Sequence, residues 1–242
     1  MLRNLKLTSL QFRALCIVLF STSTILTPSG SAQTISPVIV EATGKVSGKV
    51  ELTNDTLNPM AVVLEAKSFD IGPDGRGIFR PLDAVIRLQL SSTSFILQPK
   101  ESYYIFYKAS SEKLPTWFTV YAVFESIQKS PGLKVRIMLP HTVYLYQKRA
   151  PSRDAIQVKQ AVYDKQRDKV VCDIQNTSGS LIRAQALHVV GNKADVVSGG
   201  FPLLPNSPRH LEIDWKQKGA PDYLLLHFPH FDVKEPLSAE GN

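Results

Sequence analysis

From Gln33 onward the chain is built from short runs rich in Val, Ile, Tyr, Phe and Thr, set between turn residues, and helical periodicity is hard to find in any of them. β-Branched and aromatic side chains fit a pleated, half-buried surface, so this pattern points to an all-β fold. The first half contains seven such runs, at residues 35–41, 48–53, 61–69, 84–90, 103–108, 118–124 and 133–146. Seven strands in about 115 residues match an immunoglobulin-like β-sandwich, which takes roughly 100 residues. The second half carries six more, at 156–163, 169–174, 182–190, 194–197, 210–214 and 223–228.

The two halves echo each other. Lys49 to Thr53 runs into Asn54-Asp55-Thr56, and Val171 to Gln175 runs into Asn176-Thr177-Ser178. Each is a strand ending in an Asn-led turn, where Asn bonds its own backbone two residues on. A second echo joins Leu97-Gln98-Pro99 to Leu203-Leu204-Pro205, each ahead of a further strand. Duplication and chance likeness between two β domains both account for this. The polar, basic, Pro-bearing segment 147–153 separates the halves and predicts two domains, 33–148 and 149–242. It is too short for a flexible linker, so the domains are expected to be closely coupled around a cleft.

Residues 1–32 read differently. Arg3, Lys6 and Arg13 precede a short apolar run, Ala14 to Phe20, and the segment ends Gly30-Ser31-Ala32. That is the form of a secretory signal peptide with cleavage expected after Ala32. The apolar run is shorter than a bilayer span and is followed by Ser21, Thr22, Ser23 and Thr24, so no membrane insertion is expected after cleavage. Removing the three basic residues lowers the formal net charge from +7 to +4, without a Lys/Arg block. A nucleic-acid footprint is therefore not expected. Cys172 alone survives processing, so no intrachain disulfide can form, and its alternation within 169–174 places it in a core.

Catalytic patterns are missing from the sequence. His227 and His230 stand at metal-like spacing, but an intervening Pro and the lack of a neighbouring Cys or carboxylate cluster favour an edge-strand role. His141, His188 and His210 occur singly in strand contexts. The stretch 70–77 spaces its oxygen-bearing residues wrongly for a calcium loop, and Pro73-Asp74-Gly75 reads as a hairpin turn. With no phosphate loop, nucleophile elbow or paired carboxylates, the expectation is a protein that is not an enzyme and needs no metal or cofactor.

One run stands apart. Val135 to Tyr146, VRIMLPHTVYLY, alternates like a strand but is apolar on both faces, and Pro140 removes one donor, which fits a sheet edge or bend. Together with VELTNDTLNPMAVVLEAKSFD, FILQPKESYYIFYK and LPTWFTVYAVF, taken in order, it resembles the periplasmic pilus-assembly chaperones of the chaperone-usher pathway. The likeness covers nearly all of the chain after residue 32 and is strongest in the first half.

The resemblance implies two immunoglobulin-like β-sandwich domains in an L-shaped arrangement, located in the periplasm. It implies partners that are pilus or other secreted β-rich subunits, and an outer-membrane usher as a further partner. Val135, Ile137 and Leu139 would then be donated to a subunit lacking a strand, by strand addition. The residues read alone leave another choice, in which these three point into the first domain's own core. The family holds the subunit's terminal carboxylate with two basic residues. Here the matching positions are Pro37, or its neighbour Ser36, and Tyr144, with Lys148 or Arg149 as nearby cations. An exported structural or adhesive two-domain protein is the alternative reading.

Overall fold

The structure is a computed structural model that describes residues 32–127 and 135–240. The expected signal peptide thus lies outside the described residues apart from Ala32, as does the start of the expected strand at residue 133. Ten strands form the first sandwich. They are β1 (Gln33–Ser36), β2 (Ile39–Thr43), β3 (Lys45–Asn54), β4 (Met60–Ile71), β5 (Gly77–Pro81), β6 (Ile86–Leu90), β7 (Ser94–Leu97), β8 (Glu101–Ser111), β9 (Thr116–Ser126) and β10 (Arg136–Tyr146). After a single 3₁₀ turn at Arg153–Ala155, eight more form the second. These are β11 (Ile156–Asp164), β12 (Lys169–Asn176), β13 (Ile182–Gly191), β14 (Ala194–Leu203), β15 (Pro208–Asp214), β16 (Pro221–His227), β17 (Asp232–Pro236) and β18 (Ser238–Glu240).

In the first sandwich a sheet of order β1-β3-β8-β6 faces one of order β2-β10-β9-β4-β5, with β7 also paired to β4. In the second, β15-β12-β11-β18 faces β14-β13-β16-β17. The central pairs correspond, since β3 pairs β8 as β12 pairs β15, and β4 pairs β9 as β13 pairs β16. Alternation drives this packing. Along β12 every second residue, Val170, Cys172, Ile174 and Asn176, is buried and the others are half-exposed. Each sandwich has its own core, one around Leu52, Ile105, Phe118 and Phe124, the other around Ile174, Leu187, Trp215 and Leu224.

Two expectations from the sequence need correction. The single strand at 35–41 is two strands in different sheets. β1 runs antiparallel to β3, whereas β2 runs parallel to β10. The change falls at Pro37, which has no N–H to continue a ladder. The first sandwich also holds ten strands where seven runs were legible, because β5 and β7 are short and β1 and β2 had been read as one.

Candidate functional site

β10 leads two lives along its length. Its ladder with β9 is continuous from Arg136 to Leu145, through Pro140 opposite Tyr121, so the proline does not interrupt it. On the other side β2 covers only Thr142 to Tyr146. The Thr142 N–H donates to the Val38 carbonyl at 2.7 Å, and the Tyr146 carbonyl accepts from the Gly44 N–H at 3.0 Å. Main-chain groups alternate sides along a strand, so those of Arg136, Met138 and Pro140 face this same side, which no described strand occupies. The N–H that Pro140 lacks is therefore one that would face an open edge.

Side-chain direction alternates too. Val143 and Leu145 are fully buried in the first core, and Ile137 and Leu139 pack against it half-buried at the open end. Val135 precedes the strand and is 57% exposed, and Met138, on the outer face, is 41% exposed. His141 sits where edge gives way to interior. It is buried, its Nδ1 lies 2.6 Å from the Pro37 carbonyl, and its ring meets Tyr107 edge-on at 5.1 Å. A carbonyl only accepts, so Nδ1 carries the hydrogen. Burial pushes the pKa down, against the Pro37 hydrogen bond, and keeps the ring neutral.

The outer face of β10 near its end is covered by the second sandwich. Tyr144, 5% exposed, forms a buried cluster with Phe69, Leu181 and Leu204, with Trp117 and Tyr146 packed alongside. Phe69 and Tyr144 come from the first sandwich, and Leu181 and Leu204 flank β13 and β14 in the second. Here lies the physical reason for a strand apolar on both faces, since one face meets its own core and the other its neighbour. Gln147 fixes the joint in both directions. Its Nε2 donates to the Leu181 carbonyl at 3.0 Å, and its Oε1 accepts from the Leu181 N–H at 3.1 Å. A second tie comes from the β4–β5 hairpin, whose Pro73 carbonyl accepts from the His210 N–H at 2.8 Å. Gly75 lies beneath the Arg209 guanidinium at φ +84°, a left-handed backbone conformation that favours glycine.

Beside this joint is a cleft of about 300 Å³ lined by Glu41, Tyr146, Gln147, Lys148, Arg183 and His230, among others. The Tyr146 hydroxyl donates to Glu41 Oε1 at 2.9 Å, and Arg183 Nε stands 3.8 Å from the same oxygen. Burial first, and Glu41 second, raise the Tyr146 pKa. The Tyr144 pKa is likewise raised by burial, while the adjacent Arg183 guanidinium opposes the rise. Arg183 Nη1 is buried without a hydrogen-bond partner.

Of the candidate carboxylate positions, Lys148 lines this cleft and Tyr144 lies behind it against Arg183. Pro37 is not among the lining residues, and its carbonyl is taken by His141. Sequence reasoning missed Arg183. The only available signal was a basic residue at an outward position of the strand after the second Asn corner, and nothing local ties that position to Tyr144.

Three solved structures share this architecture. The Salmonella enterica SafB chaperone, solved in complex with the SafA pilin, aligns with a TM-score of 0.52 at 12% identity, over 86% of this chain and 97% of that one. The E. coli chaperone DraB aligns at 0.51 with 11% identity, over 86% and 98%. The YadV chaperone also aligns at 0.51, with 12% identity, over 85% and 99%. No family model and no curated protein matches the chain. Both sandwiches are spanned in each alignment, so the chain has the two-domain, immunoglobulin-like fold of the fimbrial chaperones.

Proposed function

We propose that the protein is a periplasmic chaperone that caps pilus-type or other secreted β-rich subunits by offering the open edge of β10, and passes them on for assembly. The observation that carries this reading is the uncovered edge at Arg136, Met138 and Pro140, with half-buried Ile137 and Leu139 beside it. An added strand would satisfy the edge's main-chain groups, and its side chains would close the seam over Ile137 and Leu139. Val135, at the exposed start, would contact the subunit directly. Covering such an edge suppresses aggregation without cofactor or catalysis. In the cleft, Arg183 and Lys148 would replace the family's basic pair, with Glu41 as the internal carboxylate that a subunit terminus displaces.

The packing of Ile137 and Leu139 against their own core favours a second reading, an exported structural or adhesive protein whose edge has no client. Met138→Pro separates the two. It removes a donor facing the open edge and leaves the β9 ladder untouched, as Pro140 already does two residues on. When the variant is co-expressed with subunits encoded beside its gene, we expect wild-type thermal unfolding and loss of subunit co-purification. Subunit capture equal to wild type, or none by the wild type itself, would sink the chaperone reading.

A further inference from the structure

The outer face of the β14-β13-β16-β17 sheet carries a row of four side chains, one from each strand, that the reading above does not use. Asp195 of β14 meets His188 of β13, with His188 Nδ1 at 3.0 and 2.9 Å from the two carboxylate oxygens. Asp232 of β17 meets His227 of β16, with His227 Nδ1 at 2.8 Å. The two imidazoles face each other across the β13–β16 ladder, ring centres 5.0 Å apart and planes at 86°. Register explains the meeting. Ala186 is opposite His227, so His188 is its diagonal neighbour on the same face.

We propose that His188 and His227 form a binding site for a divalent first-row transition-metal ion, held through their Nε2 atoms. A carboxylate only accepts, so each Asp accepts a hydrogen bond from Nδ1–H, the tautomer that leaves Nε2 with its lone pair available to a metal ion. A carboxylate behind an imidazole in this way fixes ring orientation and raises its basicity as a ligand. The spacing fits as well. Two imidazoles bound through nitrogen at roughly 2.0–2.1 Å, about a tetrahedral angle apart, have ring centres about 5 Å from each other. The rings are partly open to solvent, at 22% and 35% side-chain exposure, so an ion can reach them. No group of three or more His, Cys, Asp or Glu ligands gathers among the described residues, so the chain supplies two ligands and water the rest. In the sequence His230 stands at metal-like spacing from His227, a pairing that the intervening Pro229 speaks against. The fold gives His227 a partner from another strand and places His230 among the residues lining the cleft.

The test is calorimetric titration of the tag-free chain from Gln33 onward with Zn²⁺ at pH 7.5. We expect saturable one-to-one binding that His188→Ala and His227→Ala each weaken at least about tenfold, and that His210→Ala and His230→Ala leave unchanged. Asp195→Asn and Asp232→Asn, which keep the side-chain size, are expected to weaken it roughly 10- to 100-fold. Zn²⁺ is expected to raise the melting temperature of the wild type and not of the double His variant. That second readout also shows whether each variant is folded. Absence of saturable binding, or binding that survives the double His variant, overturns the site. Neither result bears on subunit capture by β10.

Discussion

Asn54 and Asn176 make the same five hydrogen bonds, 122 positions apart. Asn54 Nδ2 donates to the carbonyls of Asn58, Leu97 and Gln98 at 2.8, 3.3 and 3.1 Å, and its Oδ1 accepts from the N–H and hydroxyl of Thr56 at 3.2 and 2.6 Å. Asn176 Nδ2 donates to Ser180, Leu203 and Leu204 at 2.7, 3.1 and 3.2 Å, and its Oδ1 accepts from the N–H and hydroxyl of Ser178 at 3.0 and 2.8 Å. Each side chain ends a strand of one sheet and pins the end of β7 or β14 in the facing sheet. The two echoes seen in the sequence, the Asn corners and the Pro-marked turns, are thus the two halves of one device.

Removing either Asn should therefore destabilise its own sandwich. Asn54→Ala and Asn176→Ala each remove five hydrogen bonds made by a fully buried side chain, and about 3 kcal/mol is expected for each. The sites share no partner, so the double variant should lose close to the sum. Urea unfolding measures this, and a loss below about 1 kcal/mol at either site would contradict the assigned role.

His141 makes stability depend on pH in a defined direction. Its folded pKa is lowered by burial, so below the unfolded value of about 6.5 the unfolded chain binds the extra proton. Stability from this residue is fully present above about pH 6.5 and declines as pH falls toward the folded pKa. The titratable ring that meets it among the described residues, Tyr107, is itself pushed further up by burial and stays neutral there. His141→Asn should flatten the unfolding free energy across this window, and an unchanged slope would argue against His141 as its source.

The joint between the sandwiches should depend on Leu181. Leu181→Ala empties a site that is 1% exposed among Phe69, Tyr144 and Leu204, at a cost of about 3 kcal/mol. Small-angle scattering should show a wider distribution of shapes, and proteolysis within 147–153 should quicken. Tyr144→Phe keeps the packing and should change neither by much.

Cys172 should be inert in the folded protein. Burial pushes its thiol up to about 12, with Asp173 adding to the effect. Thiolate is the reactive form, so labelling by a thiol reagent at pH 8 should require denaturant. Labelling at the rate of a free thiol in buffer would contradict its placement in the second core.

Much of the fold was legible because alternation is local. The runs at 169–174 and 182–190 lie within β12 and β13, and Val143 and Leu145 return to the first core as their spacing predicts. What escaped was what depends on partners distant in sequence. Tyr144 reads as one more strand residue until Leu181 and Leu204 cover it, and Arg183 reads as an ordinary outward cation until Tyr144 and Glu41 stand beside it. His188 and His227 fall together through a ladder register that neither local segment encodes. β1 and β2 were merged because the runs either side of Pro37 read alike, although they serve opposite sheets.

Because β2 runs along the same side of β10 as the open edge, the chain carries its own ruler there. The uncovered stretch from Arg136 to Pro140 is five residues, about 17 Å at strand rise. At its far end Thr142 is already bonded to Val38, and Pro140 offers an acceptor without a donor. A guest strand laid along β10 would meet β2 end to end at Thr142 and stop, so β2 fixes where such a strand must end on that side.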